Sequence, residues 1–149
     1  MENQIKRINR TLKYQGAIVD FYSDTMQMPD GRLAEWDLIH HRKGAAAVVP
    51  VLPDGKILMV RQFRNALDRM TIEIPAGARD SVEEETICCA ARELEEETGY
   101  RSEHLDPDEF VELQAFELDE LCEMIYAGTI QDAKTVAALM AYRNKYCIK

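Results

Sequence analysis

Four carboxylates stand within five residues, at Glu93, Glu95, Glu96 and Glu97, directly after Arg92 and just before Thr98 and Gly99. On a helix, Glu93 and Glu97 lie one turn apart on one face, with Glu96 beside them. Each like-charged pair at that spacing costs on the order of a few tenths of a kcal/mol in an isolated helix, so a cluster this dense calls for a cation. An all-oxygen ligand set favours Mg2+, with Mn2+ as the alternative, over zinc. Taken alone, a charge run is more often a solvated helix face; the surroundings of this one separate the two readings.

Those surroundings are a helix and the strands that must present it. From 81 to 98 the chain is rich in Glu, Ala, Arg and Leu, with Gly99 at the stop position, and Ser81 with Glu84 has the form of a capping box. A helix is therefore expected over 81–98. Upstream, short apolar runs alternate with turn signals. Strands are expected over 16–22 and 32–40, joined across Pro29-Asp30-Gly31, and over 44–52 and 57–63, flanking Pro53-Asp54-Gly55. A shorter strand follows over 70–74. The Ala/Val-rich strand over 44–52 is expected to be buried on both faces. Downstream, the pattern predicts a strand over 109–116, a short helix over 118–126 ended by Gly128, and a last helix over 132–145 with Val136, Leu139, Met140 and Tyr142 on its apolar side. This order implies an α/β or α+β layered domain with helices packed on a sheet.

At 149 residues and 46% hydrophobic content the chain can bury an ordinary core. A net charge of −9 argues against nucleic acid as a partner, because backbone binding needs concentrated Lys and Arg. An acidic protein that handles phosphates needs a cation as intermediary. No run approaches the roughly 18 to 20 apolar residues of a membrane span, and Met1-Glu2-Asn3-Gln4 opens a polar stretch, so no membrane partner and a cytoplasmic location are expected. Cys88, Cys89, Cys122 and Cys147 show no metal spacing and are expected as free thiols. His40, His41 and His104 show no ligand spacing and are assigned surface or structural roles.

The full segment is more specific than its charges. Gly77, then Glu84, seven residues, then Arg92-Glu93-Leu94-Glu95-Glu96-Glu97-Thr98-Gly99-Tyr100 resembles the Nudix box, G-x5-E-x7-R-E-U-x-E-E-x-G-U, where U is a bulky apolar residue. Six residues rather than five separate Gly77 from Glu84. The extra one is placed in the loop, since an insertion inside the helix would rotate its ligands. Flanking stretches, His41 to Val51, Val60 to Arg64, Glu73 to Gly77 and Ala127 to Leu139, look like the ADP-ribose pyrophosphatase branch of that family. The resemblance implies a mixed β-sheet sandwiched by helices over 44–149, preceded over 1–43 by a β-subdomain that makes a homodimer. It further implies metal held by Glu93, Glu97 and Glu96 with the Ala76 carbonyl, Arg92 bracing the glutamates, and Glu84 as the box's first glutamate. Trp36 and Asp37 resemble an adenine-contacting pair, and Arg64 a substrate-contacting arginine; Arg61, three residues earlier, would face the other way.

What the resemblance implies chemically is metal-dependent cleavage of the pyrophosphate bond of a nucleotide sugar, ADP-ribose giving AMP and ribose 5-phosphate. A binding or regulatory module of the same fold with little turnover is the alternative. The resemblance thins after the box, where only Arg101 to Asp108 precede the next expected strand, against about 20 or more residues for the two strands and loop that the branch carries there. The domain is thus read as shortened between 100 and 109. Pro107 lies too near the box to match the branch's substrate-marking proline, and no general base is assigned.

Overall fold

The computed structural model describes residues 4–99 and 112–146, and the chain divides into two compact units, Met1–Gly44 and Ala45–Lys149. The first unit is a three-stranded antiparallel sheet, β1 (Lys6–Gln15), β2 (Val19–Gln27) and β3 (Leu33–His41), in sequence order. The turn expected at Pro29-Asp30-Gly31 closes the β2–β3 hairpin: Met28 N–H donates to the Arg32 carbonyl at 2.9 Å, and Gly31 takes φ 86°. β1 escaped the sequence pattern because all ten of its residues are exposed, so no burial alternation marks it. Charge ties it to its neighbour instead. The Arg10 guanidinium donates to both oxygens of Asp24, each at 2.6 Å, although Asp24 is only 7% exposed.

The second unit is α+β. β5 (Ile57–Arg64) lies between β6 (Arg69–Glu73) and β8 (Glu112–Phe116), and β4 (Ala45–Ala47) pairs with β7 (Ala76–Ala78), every pairing being antiparallel. Among the described residues the unit is the expected α+β arrangement of sheets and helices, its strands pairing as one two-stranded and one three-stranded sheet. The strand expected over 44–52 shrinks to Ala45–Ala47, with an exposed-buried-exposed pattern, so burial on both faces is corrected there. Pro50 has no N–H for a ladder. Beyond β4 the backbone makes scattered bonds, Val48 N–H to the Pro75 carbonyl and Leu58 N–H to the Pro50 carbonyl, both 3.0 Å. The strand buried throughout its first half is β5, from Ile57 to Val60.

Three helices complete the unit: α1 (Thr86–Thr98), α2 (Leu118–Tyr126) and α3 (Ala133–Tyr146). α1 starts five residues later than the capping box predicts. Ser81 Oγ accepts from Glu83 N–H at 3.2 Å and Glu84 reaches back to accept from Asp80 N–H at 2.7 Å, so both residues build a turn ahead of the helix. Gly99, at φ 64°, ends α1 as expected, its N–H on the Glu95 carbonyl. The strand expected over 109–116 is described only from Glu112, and 100–111 lie outside the described residues. Cys88, Cys89 and Cys122 are free thiols; Cys147 also lies outside them. No helix among the described residues is long and apolar enough to cross a membrane.

α1 packs on β4 and β7, while the apolar core joins Ile57, Met59 and Ile74 to Leu121, Ile130 and Leu139 from the α2–α3 side. A buried polar link fixes α3 to the end of β6. The Thr135 hydroxyl, fully buried, accepts Ile74 N–H at 3.1 Å and donates to Asp132 Oδ2 at 2.6 Å. The same oxygen accepts Thr135 N–H at 2.9 Å, which makes Asp132 the cap of α3. Thr135→Val keeps the shape but strands the Ile74 N–H, at a cost of about 1 to 3 kcal/mol. A lower urea midpoint with unchanged slope is the expected outcome; an unchanged midpoint would show the link to be dispensable.

Candidate functional site

α1 turns two of its carboxylates, Glu93 and Glu97, away from solvent. Its buried side chains include Cys89, Glu93 and Glu97, spaced by four so that they share one face, and Glu93 and Glu97 are 8% and 3% exposed. That face meets β7. Glu97 Oε2 accepts Ala76 N–H at 3.1 Å, and the Glu93 carboxylate lies over Gly77 so closely that a Cβ there would come within 1.9 Å of its Oε2. Gly77 therefore leaves the space that the Glu93 carboxylate occupies, and a Cβ there would push that flexible side-chain end aside.

Arg92 gathers the other acids. Its Nη1 donates to Glu93 at 2.8 Å and Glu96 at 2.7 Å, its Nε to Glu84 at 3.2 Å, and its Nη2 to the Ala78 carbonyl at 2.9 Å. Hydrogen bonding to Glu84 outweighs partial burial and holds the guanidinium pKa above its usual value. Reciprocally, Arg92 and then Asp80 N–H hold the Glu84 carboxyl below its usual range. The structure thus brings Glu84, Arg92, Glu93 and Glu96 into one network, with Glu97 tied to Ala76 beside it. Among the described residues no three His, Cys, Asp or Glu side chains converge as a metal-ligand group. The buried pair Glu93 and Glu97 still suits Mg2+, which commonly takes one or two carboxylates and completes its shell with water and substrate phosphate.

A cavity of about 400 Å3 opens on the β4–β7 pair, lined by Ala45 to Ala47, Ala76 to Ala78, Arg64 and Lys134. Arg64 and Lys134 both bond Glu73, a carboxylate only 2% exposed. Arg64 Nε and Nη2 donate bidentately at 2.8 and 2.6 Å, the Thr71 hydroxyl donates at 2.7 Å, and Lys134 Nζ donates to Glu73 and, at 3.0 Å, to Asp132. Burial pushes the Glu73 pKa up, but the bonds from Arg64, Lys134 and Thr71 together prevail and lower it from 4.5 to about 2. Arg61 is on the opposite strand face, paired with Glu112 at 2.8 Å.

The sequence pattern alone assigns no functional role to Glu73, Lys134 or Asp132. The available signal was chemical: Glu73 is a lone acid between Thr71-Ile72 and Ile74-Pro75, a position that favours apolar side chains. Trp36 and Asp37 lie on β3 in the first unit, opposite Asp24 and Ser23. Strand alternation sends their side chains to opposite faces. Trp36 is 48% exposed.

The profile of the NUDIX domain family matches residues 41–117. The chain is 30% identical to the ADP-ribose pyrophosphatase of Bacillus subtilis (strain 168), covering 97% of this chain and 95% of that protein. It is also 30% identical, over the same shares, to the methanol dehydrogenase activator of Bacillus methanolicus. The first alignment runs over 178 positions against 149 residues here, so the Bacillus subtilis protein carries residues with no counterpart in this chain. A crystal structure of an ADP compounds hydrolase shares the fold, with a TM-score of 0.79 at 16% identity, covering 95% of this chain and 93% of that one.

The lowered pKa of Glu73 has a definite sign. Its charged contacts contribute fully above the ordinary value of 4.5 and are lost as pH falls towards about 2. Acid unfolding followed by circular dichroism is expected to be shallower between pH 5 and 2 for Glu73→Gln, with lower stability at pH 7. Parallel curves would show that Glu73 contributes nothing to that slope.

Proposed function

This chain belongs to the Nudix hydrolase family, in its ADP-ribose pyrophosphatase branch, and from that premise we propose that it cleaves the pyrophosphate bond of ADP-ribose to AMP and ribose 5-phosphate with Mg2+. The observation that carries the proposal is the burial of Glu93 and Glu97 against β7, beside a cavity with two cationic side chains on its wall. Two like charges on the inner face of a helix are costly unless a cation joins them. Glu93 and Glu97 would hold the metal, with the Ala76 carbonyl as a further oxygen donor. When bound, Mg2+ supplies charge neutralisation on phosphoryl oxygens and a more acidic water.

The chain's own residues position the reactants. Arg92 holds Glu93 and Glu96 in fixed orientations, and Glu84 in turn fixes Arg92. Gly77 leaves room for the Glu93 carboxylate to lie against β7, and the alanines of β4 and β7 leave the adjoining cavity open. Arg64 keeps its guanidinium plane through two bonds to Glu73, which leaves Nη1 for a substrate oxygen. Trp36, half-exposed, offers an indole face on which adenine could stack. A homodimer through the first unit is part of the same proposal, and its exposed Ile8, Leu12 and Ile39 support it.

AMP release from ADP-ribose with excess Mg2+ tests the proposal. Turnover is expected in the wild type and its loss in Glu97→Gln; ligand binding without AMP would identify a binding module instead. Gly77→Ala, which displaces the Glu93 carboxylate, is expected to lower kcat/KM by about a hundredfold, as loss of a ligand-orienting neighbour does. Because the displaced atoms end a flexible side chain, the thermal midpoint should change little, and wild-type turnover in this variant would remove Glu93 from the site.

A further inference from the structure

We infer that Lys134 is a second cationic contact for the diphosphate of the substrate, and that Glu73 is the positioning residue that sets Lys134 beside Arg64. The inference deepens the hydrolase reading and rests on it for the identity of the ligand. Its basis is the make-up of the cavity wall. Among the described residues, every lining residue apart from Arg64 and Lys134 is alanine or glycine, so the described side chains able to hydrogen-bond a ligand there are two cations. A cavity of about 400 Å3 with that lining suits a compact anion.

Neither cation is exhausted by its protein partners. Arg64 spends Nε and Nη2 on Glu73, and Lys134 bonds Glu73 and Asp132, leaving at least one donor on each. Their side chains remain 39% and 35% exposed, whereas that of Glu73 is 2% exposed. A buried carboxylate holding two half-exposed cations acts as an anchor below them. Such an arrangement fixes both donors before ligand arrives, so little is lost in ordering them on binding. The anchor is itself held, since Thr71 bonds one of its oxygens and Thr135 fastens α3 to the adjoining Ile74. Lys134 therefore reaches the cavity from α3 and Arg64 from β5, with Glu73 joining the two.

The test measures binding and turnover separately. Binding of the non-hydrolysable diphosphate α,β-methylene-ADP with Mg2+ is followed by calorimetry, and KM and kcat with ADP-ribose. Lys134→Met keeps the apolar stem and removes the charge; it is expected to weaken binding about tenfold and raise KM similarly, with kcat changed less than about threefold. Lys134→Arg should recover most of the affinity. Glu73→Gln should weaken binding about tenfold although both cations remain, whereas a merely structural role would lower only the thermal midpoint and the folded fraction. Unchanged affinity in Lys134→Met, or no affinity in the wild type, overturns the contact, and wild-type affinity in folded Glu73→Gln overturns the positioning role. Lys134-dependent binding without AMP release would refute the hydrolase reading while leaving this inference standing.

Discussion

Burying the carboxylates of Glu93 and Glu97 one turn apart on the inner face of α1 is unfavourable in itself, because an ion taken from water costs several kcal/mol unless it is compensated. The surrounding structure can be understood as the means of making that burial tolerable. Arg92 places one guanidinium against Glu84, Glu93 and Glu96, β7 offers the Ala76 N–H to Glu97, and Gly77 gives up a side chain so that Glu93 can lie over its backbone.

A second buried carboxylate inverts the arrangement. Glu73 is surrounded by donors, Arg64, Lys134 and Thr71, and is correspondingly hard to protonate. Its position at the end of β6 couples three elements, since Arg64 comes from β5 and Lys134 from α3. Carboxylates against β7 and cations along the cavity wall place opposite charges within one unit. The net charge of −9 therefore coexists with a locally cationic cavity wall.

The first unit follows different rules. Among the described residues its sheet buries no apolar side chain, and its strands are tied by their ladders and by ion pairs such as Arg10 with Asp24 and Arg42 with Asp20. Such a sheet exposes apolar side chains on its strands, including Ile8, Leu12 and Ile39. Isolated strands of this kind gain stability from a covering surface.

By itself the sequence determined the features written in local chemistry. α2, α3 and the Gly99 stop were legible from periodicity and from glycine's tolerance of positive φ, and the shared face of Glu93 and Glu97 from fixed helical spacing, while the box as a whole was legible through its resemblance to the family pattern. Even the separation of Arg61 from Arg64 follows from strand alternation. The tertiary structure alone decided the rest. β1 carries no burial pattern, and the strand over 44–52 broke after three residues because Pro50 cannot donate and its neighbours found single partners elsewhere. The Glu73 hub joins residues 64, 73 and 134, whose encounter no local spacing encodes. Whether the acids of α1 faced water or β7 was likewise undecided by their order in the chain, since a helix has the same period whichever face is turned inward; packing against β4 and β7 made that choice.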